Sequence, residues 1–255
     1  MDVKPVKLTR LGDLSASEET RLVKERFTEL ASRVNAAYRT LYGGAETGAD
    51  AIVLLAVVGE FLDLMHQLDR EYGPDGPLPI EDATEATDET LRCLAELEIW
   101  LDRLNLADLK TNLHTVMLGV GLWAMRHDCP IQTAEPLVNA LADRANNAMT
   151  RQDVAAAYGM MQGFIEFLGP TLSADLERSN PQRPWRLLNL NFAIAGIRSG
   201  DETLMRFAFD KLNRHLPDDR EGFYAEALQM AEQAGLPEDA QALIRGQAVK
   251  WTRIH

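Results

Sequence analysis

Two helix-forming stretches in the last third of the chain superimpose with an offset of 35 positions: Gly200 aligns with Gly235, Met205 with Ala240, and Phe209 with Ile244. Each glycine stands where one helix should stop and the next begin. A helical period of this size predicts antiparallel helix pairs that bury their apolar faces by stacking on their neighbours. No stretch shows the two-residue alternation of Val, Ile and Thr that a sheet needs. The expectation is an all-α chain, an array of antiparallel helix pairs wound as a right-handed α-solenoid, with about ten helices.

Local signals place most of the helix ends. Ser15 followed by Glu18 reads as a capping box opening a helix that runs to Tyr42, where Gly43 and Gly44 stop it. A second helix is expected from Thr47 to Tyr72. Its first half, Ala51 to Val58, is apolar on every side, which predicts enclosure by neighbours. Gly73-Pro74-Asp75-Gly76-Pro77-Leu78-Pro79 cannot continue a helix. It divides the sequence into an N-terminal hairpin, residues 1–72, expected to dock on the rest, and a helical-repeat region, residues 80–255, with an irregular connection at 171–184. Leu94, Leu97, Leu101 and Leu104 form one apolar stripe, and Leu109, Leu113, Val116, Val120 and Trp123 form the next. Gly119 and Gly121 inside that second stripe cost about 1 kcal/mol each relative to Ala, which predicts a neighbouring backbone in close approach. Val154, Tyr158, Met161, Ile165 and Leu168 seam a further helix that Gly169-Pro170 should end.

The stretch from Phe192 to Pro217 resembles a tetratricopeptide repeat. Ala193 and Gly196 stand at the small packing positions of its first helix, Gly200-Asp201 at the turn, Phe209 at the large apolar position of the second helix, and Pro217 at the close. Asn189 replaces the early aromatic residue and Met205 an alanine. In the following unit Leu228 takes a small-residue place and Gln247 an apolar one. The resemblance covers residues 192–250. It implies a protein-interaction surface on the inner face of a superhelix, formed by the first helix of each pair, which here means Leu187, Leu190, Ile194, Ile197 and Arg198. Four of those five are apolar, and soluble monomers rarely leave such a patch open. A cover from the same chain such as the N-terminal hairpin, a partner helix, and a second copy of the chain are the candidate occupants.

The net charge is −13 and no run of Lys or Arg interrupts the acidity, so nucleic acid is a poor partner. Two cysteines, Cys93 and Cys129, are too few for a disulfide framework and fit a reducing compartment. The apolar runs at 51–59 and 116–125 fall short of the about 20 residues that cross a bilayer. Residues 1–10 lack the apolar core of a signal peptide. A cytoplasmic protein without a membrane partner is expected.

Chemistry is sparse. Asp63 and His66 share a helix face, as carboxylate and histidine ligands do in helical di-iron bundles, but no second such motif exists. The commoner fate of such a histidine is partial burial against its own helix. His127, Asp128 and Cys129 close a helix without the second ligand pair a structural zinc needs, and Cys129 has no evident catalytic dyad. Neither Gly43-Gly44 nor Gly119 and Gly121 have the strand and lysine context of a phosphate loop. Glu81-Asp82 and Asp218-Asp219 read as helix-start acids. Asn189 and Asn191 lie in an otherwise apolar helix, so at least one needs a buried hydrogen-bond partner, structural or ligand.

The candidate binding residues are therefore Arg186, Leu187, Asn189, Leu190, Asn191, Ile194, Ile197 and Arg198. No catalytic set, metal or cofactor is assigned. The expected role is a non-enzymatic interaction or scaffold module holding a protein or peptide. The rivals are a small-molecule-binding sensor with its pocket near Asn189 and Asn191, and an all-α enzyme, metal-dependent or not.

Overall fold

Four of the helix starts among the described residues are made by side chains that accept the first free backbone N–H groups. The computed structural model describes residues 10–43, 50–78, 83–174, 178–233 and 235–252. Gly44, Thr47, Pro79, Glu81 and Asp82 lie outside the described residues. Within those residues the chain is all-helical, without a strand: α1 (Ala16–Tyr42), α2 (Ala51–Tyr72), α3 (Ala83–Arg103), α4 (Lys110–Arg126), α5 (Glu135–Asn146), α6 (Arg151–Leu172), α7 (Pro184–Ser199), α8 (Glu202–His215), α9 (Arg220–Gln233) and α10 (Glu238–Thr252). Short 3-10 turns at Ala107–Leu109 and Pro217–Asp219 lead into α4 and α9.

Ser15 and Glu18 form the expected capping box, and Thr150 and Asp153 form a second at the start of α6. Asp50 and Asp201 cap α2 and α8 by accepting two backbone N–H groups each. These bonds satisfy donors that a helix start otherwise leaves unpaired. Gly43, Gly200 and Gly235 adopt φ of 64°, 66° and 63°, the left-handed conformation that glycine takes without steric cost. One expected stop is overrun: α6 continues through Gly169-Pro170 to Leu172. In the last turn a proline removes only one ladder bond, and the turn closes with the Ser173 N–H on Gly169 O at 2.8 Å.

In α3/α4 and again in α5/α6, the two helices pack on each other and both pack on the first helix of the next pair. α7 then pairs with α8, and α9 with α10. Gly196 lets α7 and α8 cross closely, since a Cβ there would lie 3.0 Å from that of Ala208. α9 meets α8 through rings, with Phe209 and Tyr224 5.2 Å apart between centroids. Asn213 accepts the Tyr224 hydroxyl and donates to Gln247, which is why α10 carries an amide at an otherwise apolar position. At the other end, α1 packs on α2 and α4, and α2 on α3. One hydrophobic cluster runs from Leu11 to Ile244.

α4 lies at the centre, buried from Leu113 to Ala124 except at Thr115. A Cβ on Gly119 would stand 2.4 Å from Val23 Cγ2, and one on Gly121 would stand 2.5 Å from Leu137 Cδ2. The two glycines thus admit side chains of α1 and α5, not the neighbouring backbone the sequence suggested. α2 departs from expectation in a different way. Only its inner face is enclosed, and Val53 on the outer face is 50% exposed, because α2 packs on α1 and α3 alone among the strongly contacting helices. α2 also has the length and mean hydropathy, 1.7, of a spanning helix. That corrects the expectation that no segment reaches this level, and its buried residues Leu54, Leu55, Val58, Phe61, Leu62 and Met65 explain the hydropathy as one side of a core.

The glycine- and proline-rich segment after α2 is tied down by the end of α4. Arg126 donates to Glu19 of α1 at 2.6 Å and to Pro74 O at 3.2 Å, and Gly76 N–H bonds back to Arg126 O. Glu19 also accepts the Leu11 N–H at 2.6 Å. Both charged side chains are 3% exposed. Burial pushes the Glu19 carboxyl above its usual range although the Arg126 guanidinium opposes the shift. His127 follows, with its ring nitrogens facing Gly76 O at 2.8 Å and Asp69 at 3.0 Å, and Trp123 donates to the same Asp69 oxygen at 2.8 Å. Removing one partner of a buried pair strands the other charge. Arg126→Met should cost about 3–5 kcal/mol by urea unfolding, and adding Glu19→Leu should recover most of that loss. A double variant as unstable as the sum of the singles contradicts this reading.

Candidate functional site

α7 carries every residue the sequence singled out for binding. Pro184 at its start fixes φ for the first turn, and Gly200 ends it. Trp185, Leu188, Phe192, Ala193, Ala195 and Gly196 face inward and are buried. Leu187, Leu190 and Ile197 are half-buried against the core, and Ile194 is 38% exposed. These four lie at helical spacing and form one stripe, opposite the fully buried face of α7, and Leu187, Leu190 and Ile197 still touch the core at their edges. The helices packed on α7 are α5, α6 and α8. Among the described residues, neither α1 nor α2 of the N-terminal hairpin, the cover that the sequence put forward, packs extensively on α7.

The polar candidates are engaged. Asn189 is 1% exposed, donates to Trp185 O at 2.9 Å and lies 2.7 Å from His215 Nδ1. Asn191 donates to Leu187 O at 2.8 Å. Arg186 donates to Asp219 at 2.6 Å and to Pro181 O at 3.0 Å. Arg198 donates to Ala145 O, and to Ala148 O at 2.8 Å, tying the end of α7 to the end of α5. Two residues outside the predicted set complete this surface: His215, whose ring lies 4.9 Å from that of Trp185, and Asp219. Asp218-Asp219 signalled only a helix start in the sequence. The turn at Pro217 brings Asp219 onto α7, a long-range consequence that local pattern does not contain. Burial, together with Lys211 and Arg214, holds the His215 pKa below the ordinary histidine value.

A cavity of about 710 Å³ opens beside the start of α7. Its walls include Arg92 and Glu98 of α3, Thr133, Asn139 of α5, Leu172 of α6, and Trp185. Asn189 and Asn191 are not among its walls.

The other sequence candidates fall apart as sites. Asp63 pairs with Lys24 at 2.7 Å, which holds its carboxyl below the usual range, and His66 is exposed instead of bonded along its helix. His127 is bound as described above. Cys129 is buried beside His127, its thiol donating to His127 O, and burial pushes its pKa up, away from a reactive thiolate. Among the described residues no group of three His, Cys, Asp or Glu is placed to hold a metal ion. His114, which sequence pattern did not single out, bridges three helices: Nδ1 lies 3.0 Å from Asp143 of α5 and Nε2 3.3 Å from Glu98 of α3. A carboxylate only accepts, so the ring serves both when it carries both protons.

No family model, curated protein or solved structure matches the chain.

Burial alone lowers the His114 pKa, but the hydrogen bonds to Glu98 and Asp143 outweigh it and hold the pKa above the ordinary value. Its stabilising contribution is complete below the unfolded-state value of about 6.5 and fades as pH rises through the folded-state value. The stability gap between wild type and His114→Asn, measured by urea unfolding, should therefore be widest near about pH 6 and shrink towards about pH 9. A gap that grows with pH contradicts the assignment.

Proposed function

We propose that the chain is a non-enzymatic interaction module of tetratricopeptide-like, helical-repeat build, working in the cytoplasm. Its docking face is the α7 stripe of Leu187, Leu190, Ile194 and Ile197, and its partner is a protein or peptide presenting an amphipathic helix. The single observation that carries this reading is the apolar stripe on α7 that α5, α6 and α8 leave partly uncovered, with Ile194 at 38% exposure and Leu187, Leu190 and Ile197 half-buried. Apolar side chains at three- and four-residue spacing suit a partner helix laid alongside. Two further features support the repeat build: the recurrent packing of α3/α4 and α5/α6 on the next first helix, and the matched left-handed glycines 35 positions apart, Gly200 and Gly235. The two free, buried cysteines agree with a reducing compartment. The polar candidates Arg186, Asn189, Asn191 and Arg198 then serve as supports that fix α7 against its neighbours.

A small-molecule sensor is the second reading. It is favoured by the 710 Å³ cavity, whose volume lies in the range of about 300–1,000 Å³ usual for ligand pockets.

The test is capture from native lysate with wild type and Ile194→Glu side by side. Ile194 is 38% exposed, so the variant should stay within about 1 kcal/mol of wild-type stability. It should lose a protein that wild type retains. Identical captured proteins for both, or a variant that unfolds, contradict the docking face.

A further inference from the structure

We infer that the chain associates with copies of itself, the outer face of α2 on one molecule packing antiparallel against the outer face of α10 on the next. Both helices stand at the margin of the fold. Among the described residues α2 packs extensively on α1 and α3 only, and α10 on α9 only. In an array of helix pairs, such outermost faces need a polar surface or a neighbour.

The solvent side of α2 is not polar. Val53 is 50% exposed and Leu64 39%, Ala56 is exposed and Val57 half-buried, and all lie on one stripe with Glu60. Only 44% of the most apolar stretch of α2 is buried. Glu60 in the middle of that stripe argues against lipid as the cover, because a carboxylate inside a bilayer is costly. On α10 the outward residues are Ala242, Arg245, Gly246 and Val249, the last 42% exposed. A Cβ on Gly246 would meet nothing within 4 Å, so the surface there is low and open to side chains of another helix.

The charges decide which contact between copies forms. Glu60 is exposed and makes no ion pair among the described residues. Two α2 stripes related by a twofold axis near their centre would lay Glu60 on Val57 or on its own counterpart, and neither supplies a cation. α10 does. Laid antiparallel with Glu60 beside Arg245, the two helices bring Leu64 onto Ala242 and Val57 onto Val249, and at the next turn the uncharged Gln67 falls opposite Glu238. Within its own chain Arg245 reaches Glu238 at 3.5 Å and Glu232 at 3.8 Å, but all three are exposed, and such pairs hold a side chain weakly. The net charge of −13 opposes association elsewhere on the surface, where acid would meet acid. One helix face buries less than the usual ~800 Å² per partner, so the association is weak and shows at high concentration. It uses no residue of α7 and stands apart from the docking face proposed there.

The experiment is sedimentation velocity of the full chain from about 10 μM to about 1 mM. The wild-type average mass should climb above the 28.4 kDa of one chain as concentration rises. Glu60→Arg and Arg245→Glu, each at an exposed position, should keep the wild-type circular dichroism. Each should weaken the association at least about tenfold, since like charges then face each other. An equimolar mixture of the two variants should recover it to within about threefold of wild type, because the two changed side chains are again of opposite sign. A wild type that stays monomeric at every concentration overturns the inference. So does Arg245→Glu associating like wild type, as a contact between two α2 stripes would allow, or a mixture that stays monomeric.

Discussion

The close approach of α1 and α5 to α4 is the constraint on which the rest of the structure depends. At Gly119 and Gly121 there is no room for a methyl group, because Val23 and Leu137 occupy the space a Cβ would take. α4 is thereby enclosed by α1, α3 and α5, and its interior residues reach zero exposure at Val116, Val120 and Leu122. A glycine in a helix gives up about 1 kcal/mol of intrinsic helix preference relative to Ala. Two of them on one helix are retained where the dispersion contacts of closer packing outweigh that cost.

From α4 the polar supports follow in order. Its last residue, Arg126, reaches back to α1 and to the loop after α2, so the segment that looks most like a break in the sequence is tied to the end of α4 at Pro74 and Gly76. Its middle residue His114 spans to α3 and α5. Both link helices far apart in sequence, and both place titratable groups where burial and partners oppose each other. Outward from there, α7 packs on α5 and α6 and leaves its outer stripe half-buried, with Ile194 exposed. The proposed docking face lies on a helix whose two ends are fixed by Arg186 and Arg198, so a partner would meet it already ordered.

Much of the helix map was legible before any coordinates. The capping box at Ser15 and Glu18 and the glycine stops at Gly43, Gly200 and Gly235 act within one turn, and local chemistry determines them. The all-helical class followed from the same pattern. What the pattern misjudged was longer in range. The first half of α2, Ala51 to Val58, is apolar on all sides as a sequence, yet only one side found neighbours. Pro170 looked like a terminator, but in a last turn it deletes a single bond. The candidate residues of α7 share one helix, while Asp219 from the following turn and His215 from the end of α8 reach them only through the tertiary fold.

Native-state hydrogen exchange tests the central claim, that α4 welds α1 and α2 to the following helices in one cooperative unit. Amides of α4 should exchange only through global unfolding, and those in the middle of α1 should share the same opening free energy and the same denaturant dependence. Release of α1 and α2 at a much lower free energy, with α4 still protected, would contradict it.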